Sequence, residues 1–297
     1  MRGKIVLAGL ILGLSGAAAS AQAVPPPEPR HSDVYCSGTI TTESVPHDTL
    51  LITGEESNYK MLFNQGDYVY INKGASQGVK AGDEFSVVRE IPKDSFGIEW
   101  TKWQWSIMKK MGTVWEDEGR VKVVSARPDV SIGQVQNACD YMQRGDILLP
   151  FTERPVPPLK AANFDRFAPA NGKPLAMVMT GKKFQQQVGN NDIIYVNWGS
   201  TQGVKVGDYF RIFRFTGTQH ETDYQTPRYA FDMEQGDAVK DVGIYGFGVV
   251  PKKYNWTNTP REDLGEGIVL RTGPNSSTVL ITFTLREIFP GDYVEVE

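Results

Sequence analysis

The sequence predicts a mainly β protein: two tandem small β-barrel or sandwich-like modules, with a short amphipathic helix inserted in the first. Three observations predict it: an internal repeat, short alternating strand patterns, and Gly-rich turns between them. Asp67 to Arg89 reads DYVYINKGASQGVKAGDEFSVVR, and Asp192 to Arg214 reads DIIYVNWGSTQGVKVGDYFRIFR. Asp, Tyr, Asn, Gly, Gln-Gly-Val-Lys, Gly-Asp, Phe and Arg recur in register at an offset of 125. Such self-similarity marks one structural unit used twice. At an offset of 146, Gly119, Pro128, Ser131 and Gly145-Asp146 meet Gly265, Pro274, Ser277 and Gly291-Asp292. Each module is therefore a front block, a variable insertion and a back block, the insertions being roughly 90–118 and 215–263.

The elements follow in chain order. Residues 1–23 read as a secretory signal peptide, with Arg2 and Lys4 before an apolar run, Ile5 to Ala19. Ala21-Gln22-Ala23 fits the cleavage pattern, with Ala19-Ser20-Ala21 as a second option. The run is short for a bilayer span, which takes roughly 20 residues. No Cys stands at the cleavage site to carry a lipid, and no transmembrane segment is expected after cleavage. The chain is expected to be exported, periplasmic or outer-membrane associated. Residues 24–34 form a Pro-rich leader, expected to be extended. Residues 35–149 make the first module, 150–160 a linker and 161–297 the second module. The linker follows from PFTERPVPP, whose four prolines suppress helix and central strand alike.

Within the blocks, Val69 and Ile71 alternate with Tyr70, and Ile194 and Val196 with Tyr195. Phe85 with Val87, and Phe210 with Ile212, begin the next inner face, and Val121, Val123, Val279, Ile281 and Phe283 alternate in the back blocks. Glu99 to Met111 has Trp100, Trp103, Ile107 and Met111 at helical spacing, with Gly112 as a stop. Tyr224 to Lys240 reads as a polar loop.

The repeated motif reads as turn chemistry. Gly74, Gly78 and Gly82, and their counterparts Gly199, Gly203 and Gly207, supply backbone freedom where strands reverse. Val79 is expected in the core, and Asp83 and Asp208 are expected to accept backbone N–H bonds in their own turns. A phosphate loop is excluded because neither Lys80 nor Lys205 precedes Ser or Thr, and strands rather than helices follow. Asp83 and Asp208 sit in separate modules, which argues against an acid–base pair. No Ser is framed as a nucleophile, and His31, His47 and His220 are scattered. No catalytic residue, metal or cofactor is therefore nominated. Trp100, Trp103 and Trp105 form the candidate binding surface, open to core packing, a protein partner or a glycan; Trp103 and Trp105 cannot both face inward on one helix.

The formal charge of −4 becomes −6 once Arg2 and Lys4 are removed, which disfavours a nucleic-acid partner. Two cysteines in an oxidising compartment predict a Cys36–Cys139 disulfide, the alternative being two buried thiols.

The front blocks, Val69 to Val87 and Ile194 to Ile212, resemble the C-terminal domain of flagellar assembly protein T and the small barrels of rod-shape-determining protein C. The wider chain, with Tyr35-Cys-Ser-Gly, Gln143-Arg-Gly-Asp and Pro260-Arg-Glu, resembles uncharacterised exported bacterial envelope proteins, some labelled as peptidoglycan-binding through a LysM module. The resemblance implies a non-catalytic envelope scaffold or adaptor with other envelope proteins as partners. Peptidoglycan or glycan binding is the alternative, and a periplasmic hydrolase a third reading.

Overall fold

A computed structural model describes residues 28–56, 58–93, 102–160, 164–215 and 260–297; of Trp103 it describes the backbone alone. The protein is mainly β. In the second module, six strands close a barrel in the order β10-β11-β14-β13-β12-β15. They are β10 (Ala176–Gly181), β11 (Ile193–Val196), β12 (Tyr209–Arg214), β13 (Glu262–Thr272), β14 (Ser277–Thr284) and β15 (Tyr293–Val296). The first module repeats that order as β2-β4-β7-β6-β5-β9. Its strands are β2 (Leu51–Gly54), β4 (Tyr68–Ile71), β5 (Glu84–Ile91), β6 (Thr113–Ala126), β7 (Ser131–Ala138) and β9 (Ile147–Pro150).

Equivalent hydrogen bonds join the two ends of each sheet. Leu51 N donates to Asp146 O at 2.9 Å and Gly145 N to Leu51 O at 2.8 Å; Val178 N donates to Asp292 O at 2.9 Å and Gly291 N to Val178 O at 2.7 Å. A two-stranded ribbon, β3 (Leu62–Phe63) with β8 (Met142–Gln143), plugs the first barrel. Its counterpart in the second is the single bridge Val188–Ile288.

Alternation puts the same positions inside both barrels. Leu51, Val69, Ile71, Val79, Phe85 and Val87 fill one core; Val178, Ile194, Val196, Val204, Phe210 and Ile212 fill the other. One pair is exchanged. In the first barrel Val121 occupies the space that a side chain on Gly133 would need; in the second, Val279 occupies the space that one on Gly267 would need. The offset of 146 makes Val121 the counterpart of Gly267, and Gly133 that of Val279. The same volume is filled from opposite strands, as close packing requires.

Two sequence expectations are corrected. The first insertion does not run to Glu118. Thr113 to Glu118 belongs to β6, paired with β5 on one side. On the other, Thr113–Trp115 pairs with a short arm strand, β1 (Thr39–Thr41). This stretch hides its strand pattern because both faces are covered, so acids sit where alternation would demand apolar residues. The leader is also not wholly extended, since a five-residue helix, α1 (His31–Tyr35), starts within it; its first-turn Asp33 accepts the Arg30 N–H at 2.8 Å. The amphipathic insertion is α2 (Lys102–Met111), stopped by Gly112 at φ 110°. The linker from 151 to 160 has no regular structure. The loop read at Tyr224–Lys240 lies outside the described residues.

Candidate functional site

The repeated glycines and aspartates form a turn system. Asp67, Asp83, Asp146, Asp192, Asp208 and Asp292 each accept, through a side-chain oxygen, the backbone N–H three residues earlier at 2.7–2.8 Å. The residue before each has positive φ: Gly66, Gly82, Gly145, Asn191, Gly207 and Gly291. Asp83 and Asp208 thus serve as turn clasps in separate barrels. Gly78 and Gly203 end one-turn 3₁₀ helices at φ 89° and 85°. Gly74 and Gly199 are needed for a different reason: a Cβ there would collide with the backbone at Arg127 and Gly273. Val79 and Val204 are buried.

The repeat carries a further pair that sequence reasoning missed. Arg89 contacts Asp146 through Nε at 2.7 Å and Nη2 at 2.8 Å; its counterpart Arg214 contacts Asp292 at 2.6 Å through both. Both members recur at the two offsets, which was the available signal. Bidentate geometry makes these strong links between the front and back blocks. They also turn Arg144-Gly-Asp into a structural corner.

Cys36 and Cys139 lie at disulfide distance, with Cα atoms 5.4 Å apart, and tie the arm to the end of β7. The arm enters the seam between the barrels. Tyr195 donates its hydroxyl to Ser37 O at 3.0 Å, and Thr278 donates to Gly38 O at 3.1 Å. At the centre is Asp117 of β6, whose side chain is 3% exposed. It accepts from Gly38 N at 2.9 Å, from both terminal nitrogens of linker Arg154 at 2.7 and 3.0 Å, and from Arg271 of the second barrel at 3.2 Å. Burial raises its carboxyl, but Arg271 and Arg154 more than offset this and hold it below the usual range. Neighbouring Glu118 is pushed up to about 7 by burial, which its partner Arg89 at 3.1 Å only partly offsets.

The tryptophan surface is resolved in part. Trp100 lies outside the described residues, and Trp103 falls within α2 without a described side chain. Trp105 is half-buried, with Lys109 Nζ 5.3 Å from its ring centre. Met108 and Met111 of α2 enter the seam beside Ile40 and Val114. There they meet the outer face of the second barrel: Met179, Ile193, Tyr195, Ile268, Leu270 and Leu280. α2 is therefore a packing element first.

The same face of the first barrel is uncovered among the described residues. The offsets place Tyr68, Tyr70, Lys122, Val124 and Gln134 at the matching positions, and the equivalent pairings Leu51–Ile71 and Val178–Val196 set Ile52 against Met179. Ile52, Tyr68 and Val124 are 43, 37 and 45% exposed. Glu84 bridges Lys122 at 3.3 Å and Arg120 at 3.4 Å along its rim. Among the described residues, no three His, Cys, Asp or Glu side chains cluster as metal ligands, and no helix is long and apolar enough to cross a membrane.

The fold is thus a duplicated six-stranded barrel unit. Neither a family model nor a curated protein matches the chain.

Proposed function

We propose that this protein is a non-catalytic periplasmic scaffold or adaptor of the cell envelope, docking onto a larger assembly through the outer face of its first barrel. One observation carries the reading. In the second barrel this face is covered by the chain's own β1 and α2, whereas in the first its counterpart, Ile52, Tyr68 and Val124, is partly exposed. Half-exposed apolar side chains ringed by Lys122, Glu84 and Gln134 have the mixed composition of a non-obligate protein interface. Support also comes from the resemblance of the front blocks to barrels of flagellar assembly protein T and rod-shape-determining protein C. The Cys36–Cys139 pair, with the signal peptide expected from the sequence, fits an oxidising compartment.

A photoreactive amino acid at Ile52, Tyr68 or Val124, activated in intact cells, should join the chain to a small, reproducible set of envelope proteins. No protein adduct from these positions, with the chain instead sedimenting with purified sacculi, would replace this reading with peptidoglycan binding.

A further inference from the structure

The two barrels differ at one repeated place on their outer surfaces. In the first, Val88, Trp115 and Ile147 form a closed apolar cluster with Leu149, roofed by Val45 and Leu50 of the chain's own loop. His47 meets the Trp115 ring with centroids 5.7 Å apart. The offsets place Phe213, Arg261, Tyr293 and Glu295 at the positions of Val88, Trp115, Ile147 and Leu149. Here a cavity of about 600 Å³ lies between the strands and the segment Arg166–Leu175. Its walls are mostly apolar, with Phe167, Leu175, Phe213 and Phe215 beside Arg261 and Glu295.

Arg261 has the unfinished chemistry. Its side chain is 8% exposed, and its guanidinium lies 4.3 Å from the centre of the Phe213 ring. Nε is 2.9 Å from Asp263 Oδ1 and Nη2 is 2.7 Å from Glu295 Oε1, yet neither contact is aligned as a hydrogen bond. Nη1 and Glu295 Oε2 also lack any hydrogen bond. Buried polar groups without hydrogen bonds are destabilising, so a ligand that completes them is favoured. Both carboxylates already have charge partners: Arg211 lies 3.1 Å from Asp263, Arg261 contacts Asp263 and Glu295, and Arg166 and Lys173 also line the cavity. What the cavity lacks is a group that accepts from the guanidinium and donates to the carboxylate, attached to an apolar body. A peptide unit with a large apolar side chain has that combination.

The first barrel already satisfies a related pair in this way. Asp117 is the counterpart of Asp263. Beside it, Arg154 Nη1 donates to the Val34 carbonyl at 2.9 Å, and the Gly38 amide donates to Asp117 at 2.9 Å. The chain's own backbone thus completes an Arg–Asp pair there.

We propose that the cavity of the second barrel binds an extended peptide segment of a partner protein, its apolar side chain against Phe213 and Phe215 and its backbone hydrogen-bonded to Arg261 and Glu295. This goes beyond the docking face on the first barrel and does not depend on it.

The test is selection of a random heptapeptide phage library on the mature full-length protein, followed by fluorescence anisotropy with the synthetic winning peptide. Enriched sequences should share a Phe, Leu, Ile or Trp. Arg261→Gln should weaken binding at least about tenfold, as loss of a buried charge-assisted hydrogen bond implies. Phe167→Asp, at a side chain 86% exposed and so neutral for folding, should weaken it in the same direction. Three results would overturn the proposal. They are no enrichment above a Phe167→Asp control, a winning peptide that binds Phe167→Asp unchanged, or a photoreactive group at Phe167 that crosslinks only to residues 216–259 of its own chain.

Discussion

The two barrels share strand order, turn clasps and the Arg–Asp corner, and differ in what their outer surfaces meet. The second barrel carries Met179, Tyr195, Ile268, Leu270 and Leu280 into a buried seam. The first shows Ile52, Tyr70, Lys122, Val124 and Gln134 at those positions, none of them fully buried. Conversely, the first barrel closes an apolar cluster around Trp115 where the second holds a cavity around Arg261. Duplication preserved the interior, whose volume is constrained on all sides, and left the exteriors free to diverge. An inside-facing change needs a compensating partner, as the Val121/Gly133 and Gly267/Val279 exchange displays.

The largest energetic difference between the barrels lies at the disulfide, because only the first barrel has one. It closes a sequence separation of 103 residues, for which chain entropy predicts about 4–5 kcal/mol. Reduction should therefore split denaturant unfolding into an early first-barrel transition and a later second one. A single unchanged transition would show that the arm adds little to the first barrel. The next effect in size belongs to Asp117→Ala, which strands Arg154 and Arg271 in the seam and should destabilise by about 3–5 kcal/mol. The counterpart Asp263→Ala, beside the cavity, should cost less than half of that; equal shifts in urea midpoint would deny the asymmetry.

Glu118 sharpens the contrast through pH, since its counterpart is the apolar Leu264. Its folded value, about 7, lies above the ordinary 4.5, so the native state holds the proton more tightly than the unfolded chain. The stabilisation is complete below 4.5 and is lost as pH rises through 7, by up to about 3 kcal/mol. Thermal melts of Glu118→Gln should be flatter over that window than those of the parent. The exchanged core pair offers a smaller test. Val121→Gly and Gly133→Val should each cost about 2–3 kcal/mol, and the double variant should recover most of it. Strict additivity in a double-mutant cycle would contradict the shared volume. Smallest is the hydroxyl pair: Tyr195→Phe removes the bond to Ser37 O and should cost about 1 kcal/mol, while Tyr70→Phe, half-exposed, should cost almost nothing.

The interior of the fold was legible because a period of two fixes which residues of Val69–Ile71 and Phe85–Val87 face inward, and because Gly-Asp pairs have one dominant turn chemistry. The seam was harder. IIYV in β11 and GIVL in β13 are apolar on both faces, whereas YVYI in β4 and RVKV in β6 alternate more clearly with polar positions. That contrast marks a covered face, but one sequence does not say what covers it. Asp117 was not legible at all. An acid inside WEDE reads as solvated surface until the arm, linker and second barrel converge on it. The cavity was hidden for a related reason, since Arg261 and Glu295 look like ordinary surface charge outside their fold.

The arm has a kinetic consequence. Its contacts with the second barrel pair residues 233, 236 and 240 positions apart: Gly38 with Arg271, Ile40 with Ser276, and Gly38 with Thr278. Loops of that length close late in folding, because the entropy of closure comes before any contact repays it. During vectorial emergence the first barrel can pair its strands, β1 with β6 included, well before β14 exists, while the side of the arm that belongs against the second barrel waits uncovered. Any factor that shields residues 37–41 in that interval would speed assembly of the native pair without touching the final structure.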